Sequence, residues 1–256
     1  MKRILPLRQP PIISYYTYMF RLGIMAARDE YLPWLFSNHI QLFHIPGELL
    51  HFYTHPWCTT PRSRDACLST CPLLDSMALD RGMWRHILAG DPVSYVIQCI
   101  DDGYYVQVDE DDFYVPSSVH FGRQHLLHEL LIVGYDQERE LLYSLGFYRG
   151  RFAVTALSYQ QFKEAVAVDM GLLLDNEEAR GRLFDRKREN MLERPQAMLY
   201  RYREGAAVRF DAAAVGEQLR DYLMSANSSQ RYRSLVAPIS GAIWGMEIHA
   251  FLIEHL

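Results

Sequence analysis

The feature that most constrains the fold is a succession of short apolar stretches across residues 94–155, joined by brief turns. Ser94-Tyr95-Val96-Ile97-Gln98-Cys99-Ile100 is predicted to form a strand, rich as it is in β-branched and aromatic side chains. Asp101-Asp102-Gly103 supplies a turn and residues 104–108 the returning strand. Residues 109–112 form an acidic loop. Leu130-Leu131-Ile132-Val133 is a short apolar run consistent with a buried strand. Residues 135–139 turn the chain, residues 140–147 return, and residues 151–155 add a further strand. Strands joined by such short turns imply an antiparallel meander.

The flanks read differently. Residues 1–13 are extended, with Pro6, Pro10 and Pro11 as breakers, and Ser14 opens a helix-like stretch that Pro33 limits. Residues 34–55 have no clear period, and residues 56–75 form a loop holding Cys58, Cys67 and Cys71. After the meander, Ser158 caps a helix to about residue 169, with Phe162, Ala165 and Val166 on one face. A charged helix over 175–190, a strand over 197–203, a helix capped by Asp211 to about residue 224, a linker at 227–229 and an apolar helix-like end over 239–256 follow. Helix, then meander, then helices is an α+β pattern. With 49% hydrophobic residues the chain can build one sizeable core. We therefore expect a single domain over 1–256: a helical part (1–92), the meander (93–170) and a mainly helical C-terminal part (171–256).

A net charge of -5 and a pI of about 6.1 argue against a general nucleic-acid binder. No run approaches the ~20 apolar residues of a membrane span, and the first residues carry no secretory signal. The reading is a cytoplasmic protein with free thiols and neither nucleic-acid nor membrane partners; oligomeric state stays open.

Four groups of residues could carry chemistry. His128, at the start of a buried strand, is placed to act as a general base beside a nucleophile. His51-x3-His55-x2-Cys58, followed by Cys67 and Cys71, hints at zinc, but Pro56 breaks the helix and no CxxC pair is present, so no metal is expected. His120, His125 and His128 match no ligand spacing either. The six carboxylates of residues 101–112 could greet a cationic substrate, although a solvated hairpin rim is the reading the sequence favours. Arg180, Arg182, Arg186, Lys187, Arg188 and Arg194 suit an acidic carrier protein or its phosphopantetheine phosphate, or else a solvated helix. There is no glycine-rich phosphate loop and no GxSxG elbow.

The stretch 93–165 resembles the papain-like fold of C39-type peptidase domains, and in particular the N-terminal domain of the butirosin biosynthesis acyltransferase H family, whose members occur in natural-product gene clusters. The resemblance rests on His128, Gly134-Tyr135-Asp136, Leu141-Leu142-Tyr143 and Ser158-Tyr159-Gln160-Gln161-Phe162, with Asp102-Gly103-Tyr104-Tyr105-Val106 and Gly245-Met246-Glu247-Ile248-His249 in support. It implies a papain-like (C39-like) antiparallel sheet core with an N-terminal helix and a helical C-terminal portion. It also implies Cys–His acyl or peptidyl transfer from a carrier-protein thioester to a small-molecule amine, within antibiotic or nonribosomal peptide biosynthesis. The acyl donor would be phosphopantetheine-linked, and the chain would need no cofactor of its own. His128 is then the base, and Tyr15, Tyr16, Tyr135 and Asp136 line the substrate. The family's cysteine should open the first long helix, where this chain has Ser14-Tyr15-Tyr16-Thr17-Tyr18, and the orienting Asp or Asn has no counterpart in Ser144-Leu145-Gly146-Phe147. The nucleophile would be Ser14, or Cys58 or another loop thiol. The alternatives are a catalytically inactive relative that binds a carrier-bound intermediate or partner enzyme, and a thiol-dependent thioesterase or peptidase.

Overall fold

The computed structural model describes residues 1–11, 16–38, 41–44, 50–53, 72–148, 151–167, 196–226 and 243–255. They belong to two compact units, Met1–Ala27 with Leu74–Tyr202, and Arg28–Leu73 with Arg203–Leu256. The cysteine-bearing loop at 56–71, the charged segment at 175–190 and the linker at 227–229 lie outside the described residues.

The first unit contains β1 (Lys2–Ile4), α1 (Tyr16–Met25), β2 (Leu74–Leu79), α2 (Arg81–Ala89), α3 (Pro92–Asp101), β3 (Tyr105–Asp111), β4 (Leu127–Asp136), β5 (Leu141–Tyr148), β6 (Arg151–Ser158), α4 (Tyr159–Val166) and β7 (Ala197–Tyr202). The seven strands form one antiparallel sheet in the order β2-β7-β3-β4-β5-β6, with β1 also paired to β4. The meander expected from sequence is β3 through β6. β2, from before residue 93, and β7, from after residue 170, pair with each other and extend the sheet beyond β3.

Residues 94–100, predicted as a strand, are helical instead. Asp91 accepts the Val93 amide at 3.2 Å and the Ser94 hydroxyl at 2.6 Å, and Pro92 presets the first helical turn. Val93, Val96, Cys99 and Ile100 then fall on one buried stripe at helical spacing. The β-branched composition lost to the cap and the period. Asp102-Gly103 ends this helix: Gly103 has φ +83°, its amide reaches the Ile100 carbonyl, and the Tyr104 amide reaches back to Cys99. Residues 109–112 are likewise no exposed loop, because β3 continues to Asp111 and all four side chains are buried. β2 and α2 lie where the sequence suggested no element over 76–92. Ser158 caps α4 as expected, in a reciprocal capping box with Gln161, and Phe162, Ala165 and Val166 are its buried face.

The sheet carries helices on both faces. Strand alternation puts Tyr105, Gln107, Asp109 and Asp111 on one face and Val106, Val108 and Glu110 on the other. α1 covers the first. Arg21 Nε and Nη2 donate to the Tyr200 hydroxyl at 3.2 and 3.0 Å, and that hydroxyl donates to Gln107 Oε1 at 2.9 Å. α3 and α4 lie against β3, and α3 also against β4. A bulge between Ile132 and Gly134 shifts the parity of β4, so Tyr135 rejoins the face of Ile132 and donates to Asp101 Oδ1 at the end of α3, at 2.7 Å.

In the second unit, the helix Leu32–Asn38 packs on the helix Ala212–Leu223. Ser37 Oγ accepts the Asp211 amide at 2.8 Å, and Gln218 Nε2 donates to the Ser37 carbonyl at 2.5 Å. Asp211 caps the longer helix, as its sequence predicts. Gln41–His44 lies between Leu50–Tyr53 and Ile243–Trp244 in a three-stranded antiparallel sheet. Within the apolar end predicted as helix, the described residues form a short strand, Ile243–Trp244, before the helix Glu247–His255. Among the described residues no helix is long and apolar enough to cross a membrane.

Gly134 is where β1 docks. A Cβ there would sit 2.4 Å from the Arg3 carbonyl oxygen and 2.8 Å from Ile4 Cα. Gly134→Ala is expected to destabilise the protein by about 1–3 kcal/mol through overpacking. Gly23→Ala, whose Cβ would meet Leu145 and Phe152 at an ordinary 3.5 Å inside α1, should be neutral or stabilising. Thermal unfolding of the two variants against wild type checks the contrast.

Candidate functional site

The C-terminal end of β3 and the start of β4 gather the chemistry-bearing residues of the first unit. Asp109, Glu110, Asp111 and Asp112 follow one another, and Glu110 stands across from His128 and Asp111 across from Leu127 in the β3–β4 register. Alternation sends consecutive carboxylates to opposite faces, which creates two arrangements rather than one.

On the α1 face, Asp111 is fully buried. Its Oδ1 accepts the amides of Phe113 and Leu126, each at 3.1 Å, and its Oδ2 meets His125 Nδ1 at 2.6 Å. The imidazole stacks on Phe113 with 4.2 Å between ring centroids and 15° between planes. The His125 side chain is 45% exposed. A buried carboxylate thus fixes one ring nitrogen, an aromatic ring fixes the plane, and Nε2 is the nitrogen left to exchange a proton with a substrate. This is the geometry of an oriented general base.

On the opposite face, Glu110, Asp112 and His128 each offer a donor atom, and these atoms lie within 4.8 Å of one another. Glu110 is 2% exposed and Asp112 7%. Burial pushes the Glu110 carboxyl up to about 10, and the neighbouring Asp112 carboxylate pushes the same way by its charge and by the hydrogen bond it accepts, with Asp111 and Asp109 adding to it. Glu110 therefore holds a proton at neutral pH. Its Oε2 is buried with no hydrogen-bond partner among the described residues.

The residues singled out from sequence are scattered by the fold. His128 sits at the β3–β4 end of the sheet, on the face away from α1. Tyr135 and Asp136 lie at the other end of β4, roughly 20 Å away at ~3.3 Å per residue, so they do not line a pocket with His128. Tyr135 is a buried strut whose hydroxyl is pushed up to about 12 by burial first and by its bond to Asp101 second. Asp136 accepts the Arg139 amide at 3.3 Å and closes the turn into β5. Tyr16 is the first residue of α1; Ser14, Tyr15 and Cys58 lie outside the described residues. Cys99 is reduced and buried on α3, where burial pushes its thiol up and away from nucleophilic character. In sequence His125 is only one of three histidines without ligand spacing, and nothing near it marks Asp111 as its partner. No local signal couples positions 14 residues apart; the strand register does.

The Glu110 proton has a measurable consequence. The unfolded carboxyl ionises near 4.5 and the folded one near 10, so the folded chain carries an extra proton between those values. Stability contributed by this group is full below pH 4.5 and falls as pH rises, a loss of about 3 kcal/mol by pH 7. Glu110→Gln removes the titration while keeping the shape. The variant is expected to melt higher than wild type at pH 7–8 and close to it at pH 4; identical pH profiles would show that Glu110 is ionised in the fold.

No protein-family model matches the chain, and no curated protein matches it. Among solved structures it is similar to a protein from Bacillus anthracis described as a C39-like peptidase, at 12% identity and a TM-score of 0.27, covering 54% of this chain and 56% of that one. The chain thus spans about half the length of that structure. What the structure itself establishes is a mixed helix and strand fold built on a seven-stranded antiparallel sheet.

Proposed function

We propose that the protein transfers an acyl or peptidyl group from a carrier-protein thioester to an amine, in natural-product biosynthesis, with His125 as the base. The observation that supports this most is the Asp111–His125 pair, with its 2.6 Å bond and half-exposed ring. The amine attacks the thioester carbonyl, the new C–N bond forms, and the C–S bond breaks. His125 Nε2 takes the proton from the nitrogen and returns it to the departing thiolate. Asp111 holds the Nδ1–H tautomer and stabilises the imidazolium between those steps. Direct attack by the amine needs no nucleophile from the chain, in keeping with a start of α1 that lacks cysteine. His125 takes the base role in preference to His128 because Asp111 shares the face of Gln107, where α1 lies, whereas His128 stands among two carboxyl groups on the other face. The positive charge of Arg180, Arg182, Arg186, Lys187, Arg188 and Arg194 suits an acidic carrier.

A second reading, a non-catalytic relative that binds the carrier-bound intermediate, is favoured by one observation: the first cysteine of the chain is Cys58, well past α1. A thiol-dependent thioesterase or peptidase would instead need Cys58, Cys67 or Cys71.

The test is release of free thiol from acyl-pantetheine thioesters with a panel of amines. Amine-dependent release is expected, lowered about 10²–10⁴-fold by His125→Gln and also lowered by Asp111→Asn. Full activity in a folded His125→Gln variant would overturn the assignment. Amine-independent release abolished by a Cys→Ala change would establish the hydrolase, and carrier binding without any release the binding protein.

A further inference from the structure

We infer that Glu110, Asp112 and His128 form a binding site for one divalent transition-metal cation of the Mn2+ type. Three donor atoms from three side chains converge within 4.8 Å. Glu110 and His128 are held opposite each other by the β3–β4 register, and Asp112 follows directly on β3 in a short 3-10 turn whose amide bonds the Leu126 carbonyl at 2.9 Å. The backbone therefore fixes all three from two adjoining strand ends.

Independently of that convergence, the site shows a vacancy in its hydrogen bonding. Glu110 is 2% exposed and its Oε2 has no partner among the described residues. A buried carboxyl oxygen without a partner is costly, and a cation that took the place of the Glu110 proton, which leaves to solvent, would compensate both carboxyl groups. A cation ~2.1 Å from each ligand would draw the three atoms, which lie within 4.8 Å of one another, to about 3–4 Å apart.

The donor set selects the metal. Ca2+ takes six to eight oxygens and has little use for an imidazole. The set contains no thiolate, which excludes soft monovalent copper. One imidazole and two carboxylates suit Mn2+, Fe2+ or Zn2+, and three protein ligands leave coordination positions for water or a substrate oxygen. The cation would lie on the sheet face opposite His125, so its binding is separable from the proposed acyl transfer.

Mn2+ alone is the probe, because thiolates at Cys58, Cys67 and Cys71 would compete for Zn2+ but are poor ligands for Mn2+. The chelator-treated full chain is titrated with MnCl2, and free Mn2+ is read from its electron paramagnetic resonance signal. One Mn2+ per chain is expected, with raised solvent-proton relaxation reporting retained water and a higher melting temperature in Mn2+. Glu110→Gln and His128→Gln should each weaken binding by tenfold or more and abolish it together, while His125→Gln and Asp75→Asn leave it unchanged. Unfolding curves of every variant separate loss of binding from loss of fold. Absence of binding at millimolar Mn2+, or full binding by the folded double variant, would overturn the site.

Discussion

The pairing of β3 with β4 is the constraint on which the rest of the first unit depends. Six consecutive residue pairs, from Val106 opposite Ile132 to Asp111 opposite Leu127, run without a register shift. Because side chains alternate strictly along a paired strand, this register decides which carboxylates face α1 and which face α3 and α4. A slip of one residue would exchange Asp111 and Glu110 between faces, put Val106 and Val108 where Gln107 now bonds Tyr200, and take Glu110 from His128. The same pairing buries a run of four acidic residues, which water would otherwise claim. The fold bears that cost in two different ways: Asp111 is satisfied by two amides and an imidazole, whereas Glu110 retains a proton.

The far end of β4 solves a different problem. The bulge between Ile132 and Gly134 turns the strand by one position, so Tyr135 can reach Asp101 at the end of α3, while Gly134 opens room for the backbone of β1. The Gly-Tyr-Asp run that caught attention in the sequence is thus accounted for by structure at each residue: close approach, a buried hydroxyl strut, and a turn cap. A strand with one end fixed so firmly can hold the other end, at His128, in a set position.

Elements whose signals are local were legible. Ser158 with Gln161 three residues on is a capping box, and Asp211 caps its helix through its own carboxylate. The apolar runs of β4 and β5 are long enough to show themselves. Residues 94–100 have the β-branched composition of a strand, but the Asp91-Pro92 start signal and the helical spacing of the apolar residues prevail. β2 and β7 were legible only unevenly: residues 197–202 alternate weakly, and 74–79 have no apolar period and are held as a strand by pairing with β7. For the site, sequence marked His128 and the acidic run, but placed the run in solvent and grouped His128 with Tyr135 and Asp136.

The sequence by itself determined the antiparallel meander, the capped helices after it, and a strand starting near His128, because periodicity, caps and turns act over a few residues. Only the tertiary structure decided that Asp111 orients His125, that Glu110 and Asp112 meet His128, and that these two groups occupy opposite faces. Those contacts join residues up to 18 positions apart through a strand register, and the burial that gives the carboxylates their chemistry exists only once the strands have paired and the helices have covered them.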